Sequence, residues 1–198
     1  FNIDNLNTLL PTGPKYKWEP TLANVNGGLG YWLNAASNIM TVGKGYIVRS
    51  PTSFSDSSTA PFTSTFVGVP NNGDMSFSIA RGAMTTATLS GYTSSNRIPL
   101  TEFDDNWNLI GNPYPSAISA NHFLFENRQT NGGLLNGFVN IWRHGIDLQT
   151  GINNPFYGSY IYNYDPNDYL TYNLVGASCC PAIGDYKIGA GQGFFVQM

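Results

Sequence analysis

Trp107-Asn-Leu-Ile-Gly-Asn-Pro-Tyr-Pro-Ser116 is the stretch on which the reading of this chain turns. Its first half is a short apolar run suited to a strand. Its second half is a turn, because Pro113 and Pro115 lack the N–H that sheet pairing needs. Near the end of the chain it is answered by Gly191-Gln-Gly-Phe-Phe-Val196, which has an earlier echo in Gly43-Lys-Gly-Tyr-Ile-Val48. Gly-x-Gly-aromatic-x-Val thus occurs twice. A dinucleotide cradle requires a third glycine and a helix directly after the loop. Here Gly43 and Gly45, like Gly191 and Gly193, lead into strand-like runs, so they read as bends or bulges. Trp107, Gly111, Asn112, Pro113 and Pro115 read with them as one structural motif.

Working outward, short alternating runs dominate. Gly45-Tyr-Ile-Val-Arg49 is a short β run ended by Ser50-Pro51. Residues 62–69 and 75–80 alternate on either side of Asn71-Asn-Gly-Asp74, a tight-turn signature, and are expected to form a hairpin. Further strands are expected at 87–92, 107–110, 138–142, 158–164, 170–174 and 193–197. Helical signal is confined to 119–127, where Ser119 stands as the N-cap. The expected class is all-β: a jelly-roll-like β-sandwich with at most one short helix. It is read either as one domain over residues 1–198, or as the tail of a first half-repeat (1–100) followed by a second (101–198).

Composition agrees with this class. Of 198 residues, 41% are hydrophobic and 14% aromatic, which suits strands, while 22 Gly and 12 Pro supply turns. Only 11% are charged, against about 25% in ordinary soluble domains. A net charge of −3 with singly scattered Lys and Arg excludes a nucleic-acid footprint. No apolar run approaches a membrane span, so membrane insertion is not expected. Phe1 in place of an initiator Met, with no signal sequence behind it, reads as a piece of a longer chain. Adjacent Cys179 and Cys180 leave two readings, a strained vicinal disulfide or a pair of thiols.

Gly43–Tyr46, Asn71–Asp74, Trp107–Ser116 and Gly191–Val196, in that order, resemble a module of large secreted surface proteins of Bacteroidota, flavobacteria above all. The resemblance spans most of the chain. It implies a β-sandwich that precedes a C-terminal sorting domain for type IX secretion, in adhesins and other multidomain surface proteins. It brings no catalytic residues.

The residues themselves offer little catalysis. His122 and His144 are the only imidazoles, and no nucleophile motif surrounds either. The carboxylates are numerous, yet none is singled out as a pair flanking a cleft. No enzymatic activity and no organic cofactor are expected. For a metal, Asp165, Asn167 and Asp168 form an oxygen-rich turn whose hard ligands suit calcium; a plain solvated turn is the other reading. For a ligand, Tyr160, Tyr162 and Tyr164 share one face of their strand by period two, with Tyr157 beside them. Together with Tyr114 in the proline turn they are candidate sugar-binding rings, against the alternative of a buried aromatic stripe.

The function expected is a non-enzymatic structural or adhesive module, secreted or held at a bacterial cell surface. Its candidate partners are surface glycans, other copies of itself, other domains of its own chain and the outer-membrane export machinery. Two alternatives stand beside it: a carbohydrate-binding module of a polysaccharide-degrading protein, and a cargo fragment bound to the export machinery.

Overall fold

The computed structural model describes residues 15–23, 29–35, 39–48, 63, 68–82, 106–143, 168–178 and 184–198. These build antiparallel sheets and one short helix, the all-β sandwich-like class expected from the alternating runs. The expected strands at 87–92 and 158–164 lie outside the described residues, as does most of the 62–69 run.

The central sheet has five strands in the order β4-β10-β6-β7-β8: Trp107–Gly111, Gly193–Gln197, Phe138–Trp142, Tyr169–Asn173 and Gly176–Ala177. Its register sorts the side chains by the period of two. Phe194 opposes Ile110, Val196 opposes Val139, and Ile141 opposes Leu170, so all of these share one face. That face is the apolar core. Val139, Ile141, Val196, Phe194, Leu170 and Tyr172 are each no more than 2% exposed.

The core face is covered by the helix α1 (Ala120–Asn127), which brings Ala120 and Leu124 onto the sheet. Phe123 meets Phe194 edge to face, with ring centroids 5.3 Å apart. Ser119 caps α1 as its sequence predicts, accepting from the His122 N–H at 2.9 Å. A second cap comes from Asp185, whose Oδ1 accepts from the Asn121 N–H and the Ser119 hydroxyl. A carboxylate at the positive end of the helix adds favourable electrostatics. Next to it, Ile118–Ser119 (β5) pairs with Lys187–Ile188 (β9) in a two-residue ladder.

The opposite face of the central sheet carries Trp107, Leu109, Phe195, Phe138 and Tyr169. A three-stranded sheet lies against it, with Lys15–Ala23 (β1) between Leu29–Asn34 (β2) and Tyr46–Val48 (β3). Trp18 and Trp32 are paired across β1 and β2, and both meet Phe195 edge to face, at 5.9 and 6.0 Å. Gly30 is required under this cluster. Its φ is +105°, and a Cβ there would fall 2.0 Å from the Trp18 ring. Neither β1 nor β2 was expected from sequence, and in β1 Pro20 interrupts the alternation. In the fold Pro20 sits where the β1–β2 register shifts after Glu19, a bulged stretch with no regular ladder for it to break.

One expectation is corrected. The hairpin arm at 75–80 is not part of any ladder. Residues 71–80 form a strap along β4, fastened by side chains in place of a neighbouring strand.

Candidate functional site

The expected motif residues meet around β4. Gly43–Gly45 lies along one side: Lys44 bridges to Ile110, the Gly45 N–H donates to Leu109 O at 3.0 Å, and the Gly111 N–H donates to Gly43 O at 2.9 Å. On the other side Gly193 opposes Gly111 and Phe194 opposes Ile110. Both Gly-x-Gly elements therefore run antiparallel to the same five-residue strand. Each begins with a glycine in the left-handed region, Gly43 at φ +78° and Gly191 at φ +67°. Their second glycines differ. A Cβ on Gly45 would lie 2.6 Å from Leu109 Cγ and 2.8 Å from Ile110 O, whereas Gly193 has ordinary clearance. The first element is pressed against β4, and this contact joins the three-stranded sheet to the five-stranded one.

Asn112 closes the end of β4. It is 4% exposed, and its amide reaches three carbonyls: Ser116 O at 2.8 Å, Gly189 O at 2.9 Å and Ile188 O at 3.2 Å. Its Oδ1 accepts from the Tyr114 N–H at 3.0 Å, and its own N–H donates to Gln192 O at 3.0 Å. Asn is suited to this place because one side chain presents both a donor pair and an acceptor. It shapes the Pro113-Tyr-Pro115 turn and ties that turn to β9 and to the loop before β10. Gln192 assists, with Oε1 accepting from the Gly189 N–H at 2.8 Å.

The strap is fastened at three points. Asn71 Nδ2 donates to Pro113 O at 2.8 Å, and the Tyr114 hydroxyl donates to Gly73 O at 2.7 Å. Asn108 acts as a substitute strand neighbour: its Oδ1 accepts from the Ala80 N–H and its Nδ2 donates to Ala80 O, both at 2.9 Å. Between these points the Phe77 ring lies over Gly43, where a Cβ would come within 2.4 Å of it. Sequence reasoning did not single out Asn108 or Phe77. The signal for Asn108 was its parity, since a polar residue at an inward position of an apolar strand must find a partner.

Of the candidate ligand rings, Tyr114 is half-buried, its hydroxyl engaged by Gly73. Tyr157, Tyr160, Tyr162 and Tyr164 lie outside the described residues. Of the candidate calcium ligands, Asp165 and Asn167 also lie outside them. Asp168 is 4% exposed immediately before β7, where its carbonyl accepts from the Arg143 N–H at 2.9 Å. Among the described residues no cluster of three or more His, Cys, Asp or Glu could hold a metal. His122 is exposed on α1. Pro113 is half-buried and Pro115 exposed, each shaping the turn.

Two ionic clasps reinforce the assembly. Glu19 on β1 accepts from Lys44 at 2.8 Å, with Lys17 at 3.3 Å. Partial burial pushes the Glu19 carboxyl up, but hydrogen bonding and charge from Lys44 and then Lys17 outweigh it and hold the group below its usual range. Asp185 is likewise pushed up by partial burial, and more strongly held down by Lys187, the Asn121 N–H and the Ser119 hydroxyl. In both cases charge holds a strand or helix end in place.

Among the described residues no helix is long and apolar enough to cross a membrane, which says nothing of β-barrels. No curated protein and no solved structure matches the chain. One family model does, over residues 1–198, and by it the chain belongs to the family described as Domain of unknown function (DUF8693).

Proposed function

We propose that this chain is a non-enzymatic structural or adhesive module of a secreted or cell-surface bacterial protein. The observation that carries this reading is where the motif residues direct their polar groups. Asn108, Asn112, Tyr114 and both glycine elements bond to backbone of neighbouring strands and turns, and so fasten two sheets and a strap into one unit. The large rings Trp18, Trp32, Trp107 and Phe195, each half-buried, pack edge to face on one another where the two sheets meet, which engages them with each other. A low-charge surface fits engagement through polar and apolar contact in place of electrostatic steering. The export route is the one that the resemblance to Bacteroidota surface modules implies, type IX secretion.

The test is a direct comparison of binding and turnover. The purified chain is immobilised for a glycan array and, separately, incubated with a panel of polysaccharides. The reading expects neither retention nor hydrolysis, and expects beads coated with the chain to adhere to host or bacterial surfaces. Glycan retention lost in Tyr157→Ala and Tyr160→Ala would replace it with the carbohydrate-binding alternative. For the export route, the parent protein should disappear from the cell surface when the type IX translocon is deleted.

A further inference from the structure

The strap holds a feature that the motif lock does not use. Ala80 lies at Asn108, Phe77 at Gly43 (itself bonded to Gly111), and Gly73 at Tyr114. The strap thus advances almost residue for residue against β4, in the opposite direction, which requires an extended chain. In an extended chain, successive peptide groups point to opposite sides. Because the N–H and C=O of Ala80 both turn to Asn108, those of Met75, Phe77 and Ile79 point away from it. Among the described residues none bonds to these three backbones. Ser76 and Ser78 are exposed, and Phe77 is 36% exposed. The result is a segment outside the sheets with one edge of its backbone unbonded, the feature through which an extended chain recruits a pairing strand.

We propose that this edge pairs with the same edge of a second copy of the chain, antiparallel about Phe77. That register places Met75 opposite Ile79, Phe77 opposite Phe77 and Ser76 opposite Ser78, apolar against apolar and polar against polar. Only the outward groups of Met75, Phe77 and Ile79 are used, each facing pair exchanging both of its N–H···O=C bonds. Charge selects the partner and the direction. Asp74 at one end and Arg81 at the other are both exposed, and neither has an ion-pair partner among the described residues. Antiparallel pairing brings the Asp74 end of each copy to the Arg81 end of the other, whereas parallel pairing sets like charges together. The two-fold arrangement is closed, giving a dimer and not a filament.

The experiment is sedimentation equilibrium of the 198-residue chain over a range of concentrations, with Asp74→Arg, Arg81→Asp and an equimolar mixture of the two. The wild type should show a reversible monomer–dimer equilibrium. Each variant alone should dimerise about tenfold more weakly, since two cross-strand charge pairs per dimer turn repulsive. The mixture should recover the wild-type affinity, because one copy then presents two positive ends and the other two negative. Hydrogen exchange on the unsubstituted chain is a second readout: the Met75, Phe77 and Ile79 amides should slow as concentration rises, and those of Ser76 and Ser78 should not. A mass that stays monomeric up to about 1 mM, in the weak range of association, would overturn the proposal. So would a mixture no tighter than its components, or protection of those amides by an unrelated extended peptide while the chain stays monomeric.

Discussion

Asn112→Ala should be among the most damaging single changes in this protein. The amide sits with its polar atoms facing Ser116 O, Gly189 O, Ile188 O and the Tyr114 N–H, in a site only 4% open to solvent. Truncation removes two well-made donor bonds and one acceptor bond, at about 1 kcal/mol net each. It also leaves the half-buried Gly189 carbonyl without its side-chain donor, where an unmet group costs about 1–3 kcal/mol, whereas Ile188 stays in its ladder with Ile118. Ser116 is exposed and recovers water. The expected loss is therefore about 4–6 kcal/mol, a large part of the total stability of a domain. Urea unfolding followed by tryptophan fluorescence measures it as a fall in midpoint at unchanged slope. Asn112→Asp separates bonding from shape, since it keeps the acceptor for Tyr114 N–H but turns a carboxylate oxygen onto carbonyls. That variant should be at least as unstable at neutral pH and should regain stability in acid, when protonation restores a donor. A loss under about 1 kcal/mol for Asn112→Ala would show these side-chain bonds to be dispensable, with backbone geometry alone holding the turn.

Other predictions follow from the same contacts. Gly45→Ala should cost about 1–3 kcal/mol, because its Cβ would press on Leu109 and the Ile110 carbonyl, while Gly191→Ala meets open space and should cost only about 1 kcal/mol for its positive φ; thermal unfolding of the pair gives the order. Tyr172→Phe, which removes a buried hydroxyl 2.7 Å from Asn121 Oδ1 and 2.9 Å from Gly184 O, should lose about 1–2 kcal/mol in urea unfolding. Glu19 and Asp185 are both held below their ordinary range when folded, so their contribution is present above about pH 4 and fades as pH falls through the folded value. Wild type should therefore be more stable than Glu19→Gln or Asp185→Asn at pH 7, and the gap should close in strong acid.

Much of this architecture was legible where one face of an element is buried. β6 and β7 alternate cleanly because their inward residues, Val139, Ile141, Leu170 and Tyr172, enter the one core that Phe194 and Val196 of β10 also fill. α1 announced itself through Ser119, a local signal that needs no tertiary context. β1 and β2 were missed because Lys17, Glu19 and Pro20 mask the Tyr16–Trp18 alternation, and the Trp18–Trp32 pairing is visible only once the strands meet. The two-residue strands β5 and β9 carry no periodic signal at all; their neighbourhood is fixed by Asn112 from a distance. Alternation over residues 75–80 indicated a hairpin arm, yet Ala80 is held by a side-chain amide, which no strand pattern encodes. The motif residues were legible as a set, while their partners were not, since a glycine motif does not name the strand it will press against.

The two glycine elements and Asn112 form the structural lock that makes β4 the seam of the molecule. Native-state hydrogen exchange tests it most directly. The Gly45, Gly111 and Asn112 amides, whose acceptors are Leu109 O, Gly43 O and Gln192 O, should exchange only through global unfolding, as slowly as the amides of Val139 and Ile141 in the core. Exchange of these three amides far ahead of the core, through local opening, would contradict the account.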